Sequence, residues 1–180
     1  ELELQENILK NKHNLMEYCF TTNLAPKLQP ISLLLERIRK ENYKNILSLG
    51  SGLSDLEYLI YLSLSNDKTI TSSDFDKFFV QKSNKIFPEF ETIQFDFLKD
   101  SLLRLNKKFD LVFCFGSFYV MDDEDFIRLF KDIKSAGVKE IIDFHAGYIT
   151  KKMYLKQLIK PLYVILKKLV KTEEENFIGK

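Results

Sequence analysis

A chain of 180 residues with 45% hydrophobic and 29% charged residues has material for one domain-sized core and too little length for two ordinary domains. Its formal net charge of +1 argues against a nucleic-acid binder that works through a uniformly basic surface, and its two cysteines argue against a disulfide framework or a cysteine metal site. No apolar stretch approaches the roughly 20 residues needed to cross a bilayer, and no basic-then-apolar leader opens the chain, so a reducing cytoplasm is the expected setting.

In chain order, Leu2–Phe20 and Ile31–Glu41 have helical spacing and are joined by the Pro-containing TTNLAPKLQP, which reads as a helical cap over residues 1–44. From Asn45 to Thr150 short β-rich runs alternate with helical stretches, the pattern of βαβ units and a mostly parallel sheet. Strands are expected at Ile46–Leu49, Thr69–Ser73, Thr92–Phe95, Leu111–Phe115 and Glu140–Phe144. Helices are expected at Leu53–Leu64, Asp76–Phe87 and Asp123–Ser135, the last with Asp123 as its cap and Gly137 as its stop. Leu98–Leu105 reads as a shorter helix or turn. The fold class is therefore α/β, a Rossmann-like, mostly parallel sheet over residues 45–150 flanked by helices. Residues 151–180 are expected to form a basic amphipathic helix and tail of the same domain.

The run NILSLGSGLSDLEYL is a buried strand, a tight turn and a helix start. Gly50 permits a backbone turn that a Cβ would hinder, and Gly52 lets a ligand approach the main chain beside a positive helix end, with Ser51 between them. An ordinary glycine-containing βα turn has the same appearance. A dinucleotide fingerprint wants a third glycine where Asp55 stands, and a phosphate loop wants Gly-Lys-Ser/Thr, which is absent. After the second strand, ITSSDFD places Asp74 and then Phe75 about 20 residues beyond the turn, where a carboxylate can hold ribose hydroxyls. After the third, QFDFLKD offers Asp96 and Phe97 to an adenine ring, by a hydrogen bond to its amino group and by apolar contact.

Over Asn45–Thr150 these residues resemble the class I S-adenosylmethionine-dependent methyltransferases. The resemblance implies that Gly50 and Gly52 pack on the methionine part, Asp74 binds ribose and Asp96 binds adenine. It also implies that Phe115 and Gly116, in FDLVFCFGSFYV, floor the pocket. The family usually has an acid where this chain has Ser48, and commonly a third glycine where it has Ser54. Ser48 is expected to order a water to the cofactor's amino group. The expected activity is methyl transfer from S-adenosylmethionine to a small molecule, a sugar or glycan precursor among the candidates. The alternative is a non-catalytic binding or scaffold module on the same fold.

Residues just after strands four and five face the transferred methyl, which makes His145 a candidate general base and Tyr119 a candidate pocket wall. A histidine satisfied at a strand end and a packing tyrosine are the plain alternatives. The fourth strand runs into FGSFYV rather than Asn/Asp-Pro-Pro-Tyr/Phe, which disfavours planar exocyclic and amide nitrogens as acceptors. His13 and His145 are the only histidines and stand far apart, so no metal is expected, and nucleic acid is not a favoured partner. Lys151–Lys171 is amphipathic, and packing against the sheet is favoured over contact with an anionic membrane surface. ENFIGK is too short for the family's closing antiparallel pair, so the expectation is a core lacking its final strands and prone to dimerise along the exposed edge.

Overall fold

Residues 27–144 are described by a computed structural model. The expected helix at Leu2–Phe20, the basic segment Lys151–Lys171 and His145 lie outside the described residues.

The described chain begins with helix α1 (Leu28–Lys40) and continues through β1 (Asn45–Leu49), α2 (Asp55–Ser63), β2 (Thr69–Asp74), α3 (Lys77–Ile86) and β3 (Glu91–Gln94). A 3-10 turn (Leu102–Leu105), β4 (Leu111–Phe115), a second 3-10 turn (Phe118–Val120), α4 (Asp123–Ser135) and β5 (Glu140–Phe144) follow. The five strands form one sheet in the order β3-β2-β1-β4-β5, and every pairing is parallel. The chain winds outward from β1 to β3, returns to β4 beside β1, and winds outward the other way. The order thus reverses between β1 and β4, and the strand ends diverge there to open a crevice.

Burial follows from this arrangement. β1 and β4 are central and enclosed on both faces, so NILSL and LVFCF carry near-continuous apolar runs. β5 is only half-buried along its length. Strand alternation divides the core in two. Ile46 joins α1 and α2 through Leu34, Ile38, Leu56 and Ile60, whereas Leu47 and Leu49 face Phe95, Phe118 and Leu129. Arg37 and Tyr43 both donate to the Glu140 carboxylate, pinning α1 to the start of β5.

The strands fall where the sequence places them, with β3 one residue earlier than expected. Phe95 has left the strand, yet its N–H still donates to the Asp74 carbonyl at 2.9 Å. Helix ends differ for local reasons, α2 starting at Asp55 rather than Leu53 because Ser54 before it is left-handed at φ +60°. α1 starts at Leu28, because Pro30 lies in the first turn, where the missing N–H is not needed. The cap of α4 is Asp122, not Asp123, its carboxylate accepting from the Asp125 N–H at 2.9 Å. Leu98–Leu105 supplies only a four-residue 3-10 turn, whose Leu102 N–H is held by Asp132 at 2.7 Å. Gly137 does stop α4: at φ +74° its N–H returns to Lys134 and that of Val138 to Ile133. No helix among the described residues is long and apolar enough to cross a membrane.

Candidate cofactor-binding site

β1 runs straight into the glycine turn. Gly50 has φ +68°, and a Cβ there would lie 2.5 Å from Ser117 Oγ and 2.6 Å from its Cβ, so the position requires glycine twice over. Ser117, just past β4, covers Gly50 and donates to its carbonyl at 3.0 Å, joining the loops on the two sides of the crevice. Gly52 has φ +57° and open space where a Cβ would stand, and it lies beside the cleft described below rather than in its lining.

Asp74 closes β2. It is 5% exposed and its two oxygens are both used: one accepts from the Gly52 N–H at 2.8 Å, the other from the Asp76 N–H at 2.9 Å. The carboxylate therefore fixes the glycine turn and the entry to α3 together, and each oxygen keeps a lone pair for a further donor. Asp96, after β3, accepts from the Leu98 N–H at 3.0 Å and pairs with Lys99 at 3.0 Å. Phe97 stands edge-on to Phe118 at 5.7 Å between ring centres.

These groups meet. Gly50, Asp74, Phe75, Asp96, Phe97 and Tyr119 line one cleft of about 320 Å³ at the carboxyl ends of the strands, with Leu98, Lys99, Ser117 and Val120. Phe75 is 63% exposed and Tyr119 79%, so both rings are free to receive a ligand face. A larger concavity of about 490 Å³ lies at the amino ends, around Asn45, Thr69 and Glu91. It has no glycine turn, its Lys107 is paired with Glu91 and its Lys68 is bonded to Asn42 and the Tyr43 carbonyl, so the smaller cleft is the better candidate.

Other expected residues stand apart. Ser48 shares the pleat face of Ile46, points beneath α2 and is 1% exposed, donating to Glu57 Oε1 at 2.6 Å. It is in no position to hold a water in the cleft. Ser51 is half-buried and bonds to Ser54 and Ser72. Phe115 stacks on Phe144 at 4.4 Å rather than flooring the cleft, because the two are register partners on the sheet face that carries Phe113, opposite Phe118 and Phe97. Gly116 flanks it at φ +69°, outside the lining.

Sequence reasoning missed Glu57 and Lys99, and reached Ser117 only as part of the stretch after β4 expected to face the transferred methyl. Glu57 is fully buried, its second oxygen has no hydrogen-bond partner, and burial pushes its carboxyl up to about 7. The available signal was Ser54-x-x-Glu57, which reads as a capping box, although here Ser54 makes no cap bond and Glu57 turns to Ser48 instead. Cys114 is buried in β4, which pushes its thiol up to about 12 and leaves it unreactive. Among the described residues no group of three His, Cys, Asp or Glu could hold a metal ion.

Strand order, switch point and carboxyl-end cleft define an open α/β domain of the Rossmann type. No protein family's sequence pattern matches the chain, and no curated protein resembles it detectably in sequence. Solved structures do. An S-adenosylmethionine-dependent methyltransferase from Clostridium acetobutylicum ATCC 824 superposes with a TM-score of 0.52 at 20% identity, over 66% of this chain and 50% of that one. The PH0226 protein from Pyrococcus horikoshii OT3 gives 0.50 at 19% identity, over 64% and 51%. Coclaurine N-methyltransferase, solved with N-methylheliamine and S-adenosylhomocysteine, gives 0.51 at 14% identity, over 63% and 33%. The chain thus spans half or less of the length of two of these structures and about half of the third. It has the Rossmann-like fold of the class I S-adenosylmethionine-dependent methyltransferases.

Proposed function

We propose that the cleft binds S-adenosylmethionine and that the domain transfers the methyl group to a small-molecule acceptor. The observation that carries this reading is the convergence of Gly50, Asp74 and Asp96, from three separate strand ends, on one cleft at the switch point. In this assignment Asp74 accepts the ribose hydroxyls, Asp96 takes the adenine amino group, and Phe75 and Phe97 give the ring apolar contact. The main chain at Gly50 and Gly52 faces the amino-acid part.

Charge separates this cofactor from a dinucleotide. A pyrophosphate would sit at the amino end of α2, where the dipole favours anions. Here the cleft itself carries Asp74 and Asp96 against a single Lys99. Such a setting repels phosphates and suits a sulfonium cation.

When bound, S-adenosylmethionine supplies an electrophilic methyl for in-line displacement, and the protein contributes mainly position. Tyr119 walls the mouth where an acceptor would enter, and a hydroxyl acceptor would need a base, the role proposed for His145. Calorimetric titration with S-adenosylmethionine, S-adenosylhomocysteine and NAD tests the reading. The first two are expected to bind at micromolar concentration or below and NAD not to bind. Binding of NAD alone would overturn it, and binding without turnover on any acceptor would favour a non-catalytic module.

A further inference from the structure

Ser54 adopts φ +60° and ψ +26°, the left-handed conformation that disfavours every side chain with a Cβ, and it does so while fully buried. Asn42 and Asn106 are the other non-glycine residues with positive φ among those described, and asparagine tolerates that region. Serine has no such tolerance, so something holds it there.

The hydroxyls around it supply the restraint. Ser83, midway along α3, donates to Ser54 at 2.7 Å, and Ser72 donates to Ser51 at 2.6 Å. Ser54 also lies 2.6 Å from Ser72 and 3.2 Å from Ser51, and Ser83 lies 2.8 Å from Thr92. Each hydroxyl has one proton, which fixes the remaining directions: Thr92 donates to Ser83, Ser54 to Ser72 and Ser51 to Ser54. Ser54 Oγ then donates once and accepts twice, its full capacity. The chain of bonds runs from β3 through α3 to Ser54, in the turn that bears Gly50 and Gly52, and closes there in a ring with Ser72 of β2 and Ser51.

We propose that this buried hydroxyl chain holds the glycine turn in its ligand-ready shape, and that Ser83 is a positioning residue acting through Ser54. Its consequence for the cofactor rests on the reading of the cleft as an S-adenosylmethionine site. Glycine adopts the left-handed region unaided. A turn carrying Ser54→Gly therefore has no need of Ser83.

Two readouts on four proteins test this: wild type, Ser83→Ala, Ser54→Gly and the double variant. One is exchange of the Gly52 amide without ligand, since that N–H reports the turn through its bond to Asp74. The other is titration with S-adenosylhomocysteine. Ser83→Ala suits the helix, so the fold should survive it. It is expected to speed Gly52 exchange and weaken binding by about tenfold each. In the Ser54→Gly background the same substitution should change either by less than about twofold. Equal losses in both backgrounds, or no faster exchange in Ser83→Ala, would overturn the proposal. If exchange follows the expected pattern while wild type binds no S-adenosylhomocysteine, the positioning role stands and the cofactor reading falls.

Discussion

Asp74→Asn is expected to weaken S-adenosylhomocysteine binding by about 10 to 100-fold and to lower the melting temperature by roughly 5–10 °C. The carboxylate accepts backbone N–H groups at both oxygens, from Gly52 and from Asp76. An amide keeps one acceptor and sets its NH₂ against the second donor, leaving a buried N–H unsatisfied at a cost of about 1–3 kcal/mol. The substitution also removes the charge that strengthens hydrogen bonds from ribose hydroxyls. Both losses arise from one side chain, so stability and affinity should fall together. Denaturation and titration of the same protein check this. A variant that melts like wild type and binds like it would remove Asp74 from both the turn and the site.

Glu57→Gln is expected to change how stability depends on pH. Burial holds the folded carboxyl's proton up to about pH 7, against an ordinary value of 4.5 in the unfolded chain. The nearby Asp55 pushes in the same direction, while the Ser48 hydroxyl and the Lys27 charge oppose it. Between these two pH values the folded state binds more protons than the unfolded one. Stability therefore falls as pH rises through about 4.5 to 7, is fully retained below that window, and levels off above it. The difference amounts to roughly 3 kcal/mol between pH 4.5 and pH 8. Glutamine keeps an acceptor for Ser48 and does not titrate. Relative to wild type, the variant should gain about 3 kcal/mol on going from acid to mildly alkaline solution, whatever its absolute stability. Parallel stability curves for the two proteins in chemical denaturation across this range would show that Glu57 does not titrate in the fold.

The fold was legible because its signals are local. Runs such as NILSL and LVFCF are apolar at successive positions, as strands covered on both faces must be, and the residues after them mark the carboxyl ends where a crevice forms. Asp74, Asp96 and Gly50 could be placed on one cleft from that rule alone. What the sequence concealed depends on distant partners. Glu57 inside DLEYLIYL resembles a helix-start acid, and only the pleat of β1 reveals that it meets Ser48. The four hydroxyls that join Ser54 come from the turn, β2, α3 and β3, with no spacing to betray them. Ser117 is unremarkable in FGSFYV until the reversal between β1 and β4 brings it over Gly50. The resemblance implies Phe115 at the cleft floor, and the pleat and the β4–β5 register turn it to Phe144 instead.

The most direct test of the central claim is a crystal structure of the protein with S-adenosylhomocysteine. The ligand is expected in the cleft between the glycine turn, Asp74 and Asp96, with its ribose on Asp74, its adenine by Asp96 and Phe97, and its amino-acid end at Gly50. A ligand seated at the amino ends of the strands, near Asn45 and Lys107, or a cleft still empty at saturating concentration, would contradict the account.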